Sequence, residues 1–285
     1  MFKKIISLGL TCAMMMGMST SAFATVDTST MNKSEFADYV SSLPQVYSIL
    51  NYSNEDKAKV LSEYLMDGFS DTEIKELENM GIYLYQYETE EAAVKPLALG
   101  TPSQVDQEQP AVAYDSRADE WIVVAGGKWN DISWAPYIGG KVGGLEVVGY
   151  TFNDSNIGTI SLANLPEYTS IVGSLLSYTG SGSGAEVVNY DDFMGDERRG
   201  IGCQMQDKTL LGGHYVGEAY AIVVTYDNRF ENITGSVRGF YVHTGEEVSF
   251  SSISFSGSSS REVTVSVEFS NDEGGFTEYS RRLDL

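Results

Sequence analysis

REVTVSVEF, residues 261–269, is the stretch that decides the fold class. Val263, Val265, Val267 and Phe269 alternate with Thr264, Ser266 and Glu268, and a period of two is the spacing at which a β-strand sends successive side chains to opposite faces. One face is then dry and the other wet, as in an antiparallel sheet packed on one side. Residues 276–283 (FTEYSRRL) are expected to pair with it as a hairpin across SNDEGG. Upstream, Val248, Phe250, Ile253 and Phe255 keep an apolar rhythm through a serine-rich stretch, with Ser256 to Ser260 as its turn.

Working back toward the N-terminus, AYAIVVTY (219–226) and EWIVVAG (120–126) are apolar on both faces, as central strands of packed sheets are. From Ala111 onward such stretches recur between glycine, serine and aspartate, which makes roughly ten strands, too many for one flat sheet. The pattern predicts a mainly β chain: an antiparallel β-sandwich, or a barrel, over residues 113–285.

Residues 25–87 read differently, as a small helical unit. SNEDKAKVLSEYLMDG (53–68) opens with Ser53 as N-cap and Asp56 three residues on, then sets Val60, Leu61, Tyr64 and Leu65 on one stripe before Gly68 stops it. Ser70 and Glu73 make a second capping box, and Gly81 a C-terminal stop. An earlier helix starts at Ser34 and ends before Pro44. Residues 82–88 (IYLYQYE) then take on β character, and 88–112, with three prolines and many acids, reads as an extended linker. The helical unit is therefore a cap on the β-domain, a detachable pro-region or a separate docking module.

Residues 1–24 carry Lys3 and Lys4, an uncharged apolar run from Ile5 to Met18, and Ala22-Phe23-Ala24, the grammar of a cleaved secretory leader. The run is too short to cross a bilayer, so the expected product is secreted and soluble, without membrane insertion. The leader removes two bases and no acid, taking the formal net charge from −22 to −24. A chain this acidic, with no basic patch, repels phosphate backbones, which argues against a nucleic-acid partner. Cleavage also removes Cys12 and leaves Cys203 alone, expected to be buried on an apolar strand.

The chemistry-bearing residues are few. HExxH, GxSxG and cysteine clusters are missing, and the two histidines, His214 and His243, sit on separate strands. On GFYVHT (239–244), Phe240 and Val242 are assigned to the dry face and Tyr241 and His243 to the wet one. The acids Asp191, Asp192 and Asp196 invite a calcium reading, but their spacing fails the EF-hand pattern, so no metal or other cofactor is expected. Attention falls on GGKWNDISWAPYIGGKVGG (126–144). If NDIS is a hairpin loop, Trp129 and Trp134 face each other across it and, with Tyr137, form an aromatic face. Such a face either plugs one end of the core or stacks against a ligand, whereas Trp121 is assigned to the core. The expected function is a secreted, non-catalytic binding protein recognising an extracellular ligand, such as a surface glycan, through Trp129, Trp134 and Tyr137. The alternatives are a secreted toxin or antimicrobial effector with a helical pro-region, and a carboxylate-dependent hydrolase, for which two acids across a cleft suffice.

Overall fold

The computed structural model describes residues 28–44, 51–87, 105–130, 140–141, 144–153, 166–177, 184–186, 193–196, 200–206, 208–210, 214–244, 250–257, 263–269 and 275–285. The leader, Trp134, Tyr137, Asp191 and Asp192 lie outside these residues. The chain divides into two compact units, residues 1–30 and Met31–Leu285. In the first, the described part is a 3-10 turn at Thr28–Thr30.

Among its described residues the second unit is mainly β, with antiparallel pairing throughout and three N-terminal helices. Helix α1 (Lys33–Ser42) is capped by Asn32, two residues before the expected start, because Asn32 and Glu35 form a reciprocal box. Helices α2 (Asn54–Asp67) and α3 (Asp71–Met80) begin at Ser53 and Ser70 with the expected boxes. Gly81 closes α3 in the left-handed region, at φ 87°, which a residue without Cβ adopts freely.

The strands are β1 (Ile82–Gln86), β2 (Val105–Gln107), β3 (Ala111–Asp115), β4 (Glu120–Trp129), β5 (Gly140–Lys141), β6 (Glu146–Asn153), β7 (Tyr168–Ser177), β8 (Gly184–Glu186) and β9 (Phe193–Asp196), followed by β10 (Gly200–Met205), β11 (Lys208–Leu210), β12 (His214–Val216), β13 (Ala219–Tyr226), β14 (Ser236–Thr244), β15 (Phe250–Gly257), β16 (Val263–Phe269) and β17 (Gly275–Asp284). Among the described residues, a seven-stranded sheet runs β1-β3-β4-β13-β7-β8 with β2 also on β4, and a five-stranded sheet runs β17-β14-β6-β10-β9. Strands β12-β11-β5 make a small third sheet. The central ladder joins β4 to β13 from Trp121↔Tyr226 to Lys128↔Ala219. All eight residues of β13 are buried, as its uninterrupted apolar run requires.

Alternation along these strands builds two cores. Trp121, Val123 and Ala125 of β4 with Tyr220, Ile222 and Val224 of β13 face Val148, Tyr150 and Phe152 of β6 in a layer between the two large sheets. Cys203 lies there fully buried, opposite Gly173, where an added Cβ would come 2.7 Å from its Sγ. The intervening residues, including Ile122, Val124, Ala221 and Val223, form a second core with Leu61, Leu65, Met66 and Leu77 of α2 and α3. Lys57 of α2 forms an ion pair with Asp115, the last residue of β3.

Two local expectations change. Residues 105–107 and 111–112, compositionally linker-like, are β2 and the start of β3. Both pair with β4, so their backbone groups gain partners that proline and charge content cannot forecast. Residues 82–86 are strand β1 on β3, in keeping with their expected β character. Finally, β16 pairs with β15, whereas β17 leaves it to pair with β14 in the five-stranded sheet.

Candidate functional site

At one end of the sandwich, the last row of the inter-sheet layer is polar. On β6 the alternation that buries Val148, Tyr150 and Phe152 also turns Glu146 inward, and Glu146 is only 2% exposed. The adjoining strand pairs Val242 with Val147, which sets His243 beside Glu146. Its Nδ1 lies 2.6 Å from Glu146 Oε1. An ionised carboxylate only accepts, so this bond holds a proton on Nδ1 and fixes the ring's orientation.

The facing sheet contributes Trp129, the final residue of β4. Its half-buried indole meets the His243 ring edge-on, with centroids 5.0 Å apart, and meets Tyr241 in the same way at 5.9 Å. Beneath them Tyr241 stacks on Tyr220 at 4.0 Å, and Gln107 of β2 donates to the Tyr220 hydroxyl. The oxygen of that amide, Gln107 Oε1, is buried without a hydrogen-bond partner among the described residues. Lys128, next to Trp129 in sequence, points to the opposite face: its ammonium donates to the Met66 carbonyl at 2.7 Å, in the last turn of α2. The cation thereby complements that helix's C-terminal dipole instead of entering the site.

The ladder positions beside Trp129 are taken on one side by Val105 and on the other by Glu218, whose carbonyl accepts from Trp129 N at 2.9 Å. Among the described residues its cross-strand neighbour is therefore Val105. Trp134 and Tyr137, the other expected members of the aromatic face, lie outside the described residues. Trp121 is fully buried in the core, as expected.

Two members of the cluster escape the alternation argument. Tyr241, fully buried, and His243, with 20% of its side chain exposed, both face Trp129 of the other sheet, and Phe240 and Val242 are fully buried as well, so β14 is covered on both faces over residues 240–242. Phe240 finds room over Gly149 and Gly202, where an added Cβ would come 2.5 and 3.3 Å from its ring. Glu146 carries a signal in the sequence, a charge in phase with Val148, Tyr150 and Phe152. His214 lies on β12 and Asp196 ends β9. Among the described residues no group of three or more histidine, cysteine or carboxylate side chains is placed to hold a metal.

No protein-family model matches the chain, and no curated protein sequence does. A solved structure described as "pH-induced modulation of Streptococcus parasanguinis adhesion by Fap1 fimbriae" is similar over 61% of this chain and 78% of that one, at 10% identity and a TM-score of 0.27. A likeness of that size carries no functional argument. No helix among the described residues is long and apolar enough to cross a membrane.

Proposed function

We propose that this chain is a secreted, non-catalytic binding protein that recognises an extracellular glycan at the Trp129–His243–Glu146 end of its sandwich, with Trp134 and Tyr137 completing the aromatic face. The observation that supports this reading is the placement of a carboxylate–imidazole pair in a row the strand pattern would otherwise fill with apolar side chains. Burying such a pair costs several kcal/mol of desolvation, and a hydrophobic pair of similar volume stabilises at least as well. Polar groups kept in such a place, beside an indole at the sandwich end, suit a ligand that offers hydroxyls to the pair and a C–H face to the ring. Binding residues commonly lie where loops leave a rigid scaffold.

The helical layer fits a permanent cap better than a detachable pro-region. Removing α2 and α3 would uncover Ile122, Val124, Ala221 and Val223 of the central strands, and an apolar face of that breadth is seldom left in water. The deciding experiment is a glycan-array screen of wild-type protein, followed by titration of the best ligand into Trp129→Ala. Loss of at least about tenfold in affinity, the scale of one buried aromatic contact, is the expected result. Unchanged binding by the variant, with the fold intact by circular dichroism, would remove Trp129 from the site.

A further inference from the structure

We infer a charge class for the ligand, an inference that rests on the glycan reading above: the site takes neutral or amine-bearing sugars and excludes uronic and sialic acids. The local field is set by Glu146. With 2% of the residue exposed, its charge is poorly screened by water and acts at close range on anything seated against Trp129 and His243. The indole adds to this, since the face of an aromatic ring is the negative part of its quadrupole and attracts ammonium groups and polarised C–H bonds.

Among the described side chains, the lysine next to Trp129 in sequence is committed elsewhere. Lys128 follows the strand alternation to the far face of β4, donates to the Met66 carbonyl and lies 3.9 Å from Glu108. Glu218, 6% exposed, places a second acidic residue beside the backbone of Trp129. The long-range term has the same sign, because 40 acidic residues against 18 basic ones give a net charge of −22. A carboxylate on the ligand would thus meet like charge both on approach and in the site. A unit charge about 7 Å from Glu146 at an effective dielectric of about 20 changes affinity by roughly 50-fold.

The test uses the wild-type full chain at pH 8 and three hexasaccharides of equal length: N-acetylglucosamine, glucosamine and galacturonic acid oligomers. Affinity is read by calorimetry and by tryptophan fluorescence, at low salt and again in 0.5 M NaCl. The expected outcome is that the galacturonate binds at least about tenfold more weakly than either of the others. The gap should persist in high salt, which screens the distant surface charges but not a buried neighbour. It should narrow in Glu146→Gln, an isosteric change. Galacturonate binding as tight as that of the neutral oligomer would overturn the charge assignment and leave the glycan site standing. Binding of none of the three, together with a blank glycan array, would overturn the site itself.

Discussion

The ion pair between Lys57 and Asp115 joins the helical layer to the seven-stranded sheet, and its two charges are buried unequally. The Asp115 side chain is 1% exposed and that of Lys57 14%. Asp115 also accepts from the backbone N–H groups of Arg117 at 3.0 Å and Ala118 at 3.3 Å, which shape the turn between β3 and β4. Removing one partner of a buried pair costs about 3–5 kcal/mol because the other charge is left uncompensated. The depth difference decides the order. Lys57→Met strands a carboxylate that cannot reach water, although two backbone donors remain, so the expected loss is about 3 kcal/mol. Asp115→Asn keeps an acceptor for the turn and strands an ammonium near solvent, so the expected loss is smaller, about 1–2 kcal/mol. The double variant buries neither charge and should be more stable than the sum of the singles implies by at least about 1 kcal/mol. Urea unfolding followed by tryptophan emission measures all four proteins, with Trp121 reporting from the core. Equal or reversed losses for the two singles, or strict additivity in the double, would refute the claim that burial depth governs this pair.

Gly149→Ala places a methyl 2.3 Å from the Ile201 carbonyl and 2.5 Å from the Phe240 ring. It should cost about 1–3 kcal/mol, and Phe240→Leu should recover part of that loss in the double variant, both read from urea midpoints. Alkali should unfold the protein cooperatively. Burial pushes Tyr85 and Tyr87 above their ordinary pKa of 10.0, does so strongly for Tyr150, and with help from a neighbouring carboxylate lifts Tyr64 and takes Tyr114 to about 12. For such groups the unfolded chain gives up protons first, so their contribution to stability is intact below pH 10 and falls as pH rises toward 12. A spectrophotometric tyrosine titration should show a late class of at least these five, appearing together with loss of circular dichroism. Finally, a protease site inserted between residues 88 and 104 should yield two fragments that co-elute on gel filtration, because β1 and α2 both pack on the larger part. Separation of the fragments would revive the pro-region reading.

The helices and the central strands were legible in the sequence because their signals are local. Ser53 with Asp56, Ser70 with Glu73, and Gly81 act within one turn of the chain, and the continuous apolar run of β13 could only be a strand covered on both sides. Partner choice was not legible. Nothing within REVTVSVEF states that it pairs backward with β15 while the next strand crosses to β14, since that is decided by which sheet has an unfilled edge. The site was half legible: Trp129 stood out by residue type, but His243 was assigned to water on the premise that one face of its strand is wet. Phe240 and Tyr241, both buried, show why the premise fails there. Glu146 was visible only as a charge in phase with a dry face, a cue that acquires meaning once β6 is known to be central in its sheet.

The central ladder carries a consequence for how the chain is made. Trp121 pairs with Tyr226, about a hundred residues later, so β4 has no partner on that side until residue 226 has been synthesised. At about 5–20 residues per second this delay lasts roughly five to twenty seconds, during which the β13-facing edge of an apolar strand waits unfilled, its other edge being held by β2 and β3. Folds dominated by such distant pairings are also slow to form once complete. A nascent chain whose apolar edge stays open for so long needs shielding from its neighbours until β13 arrives.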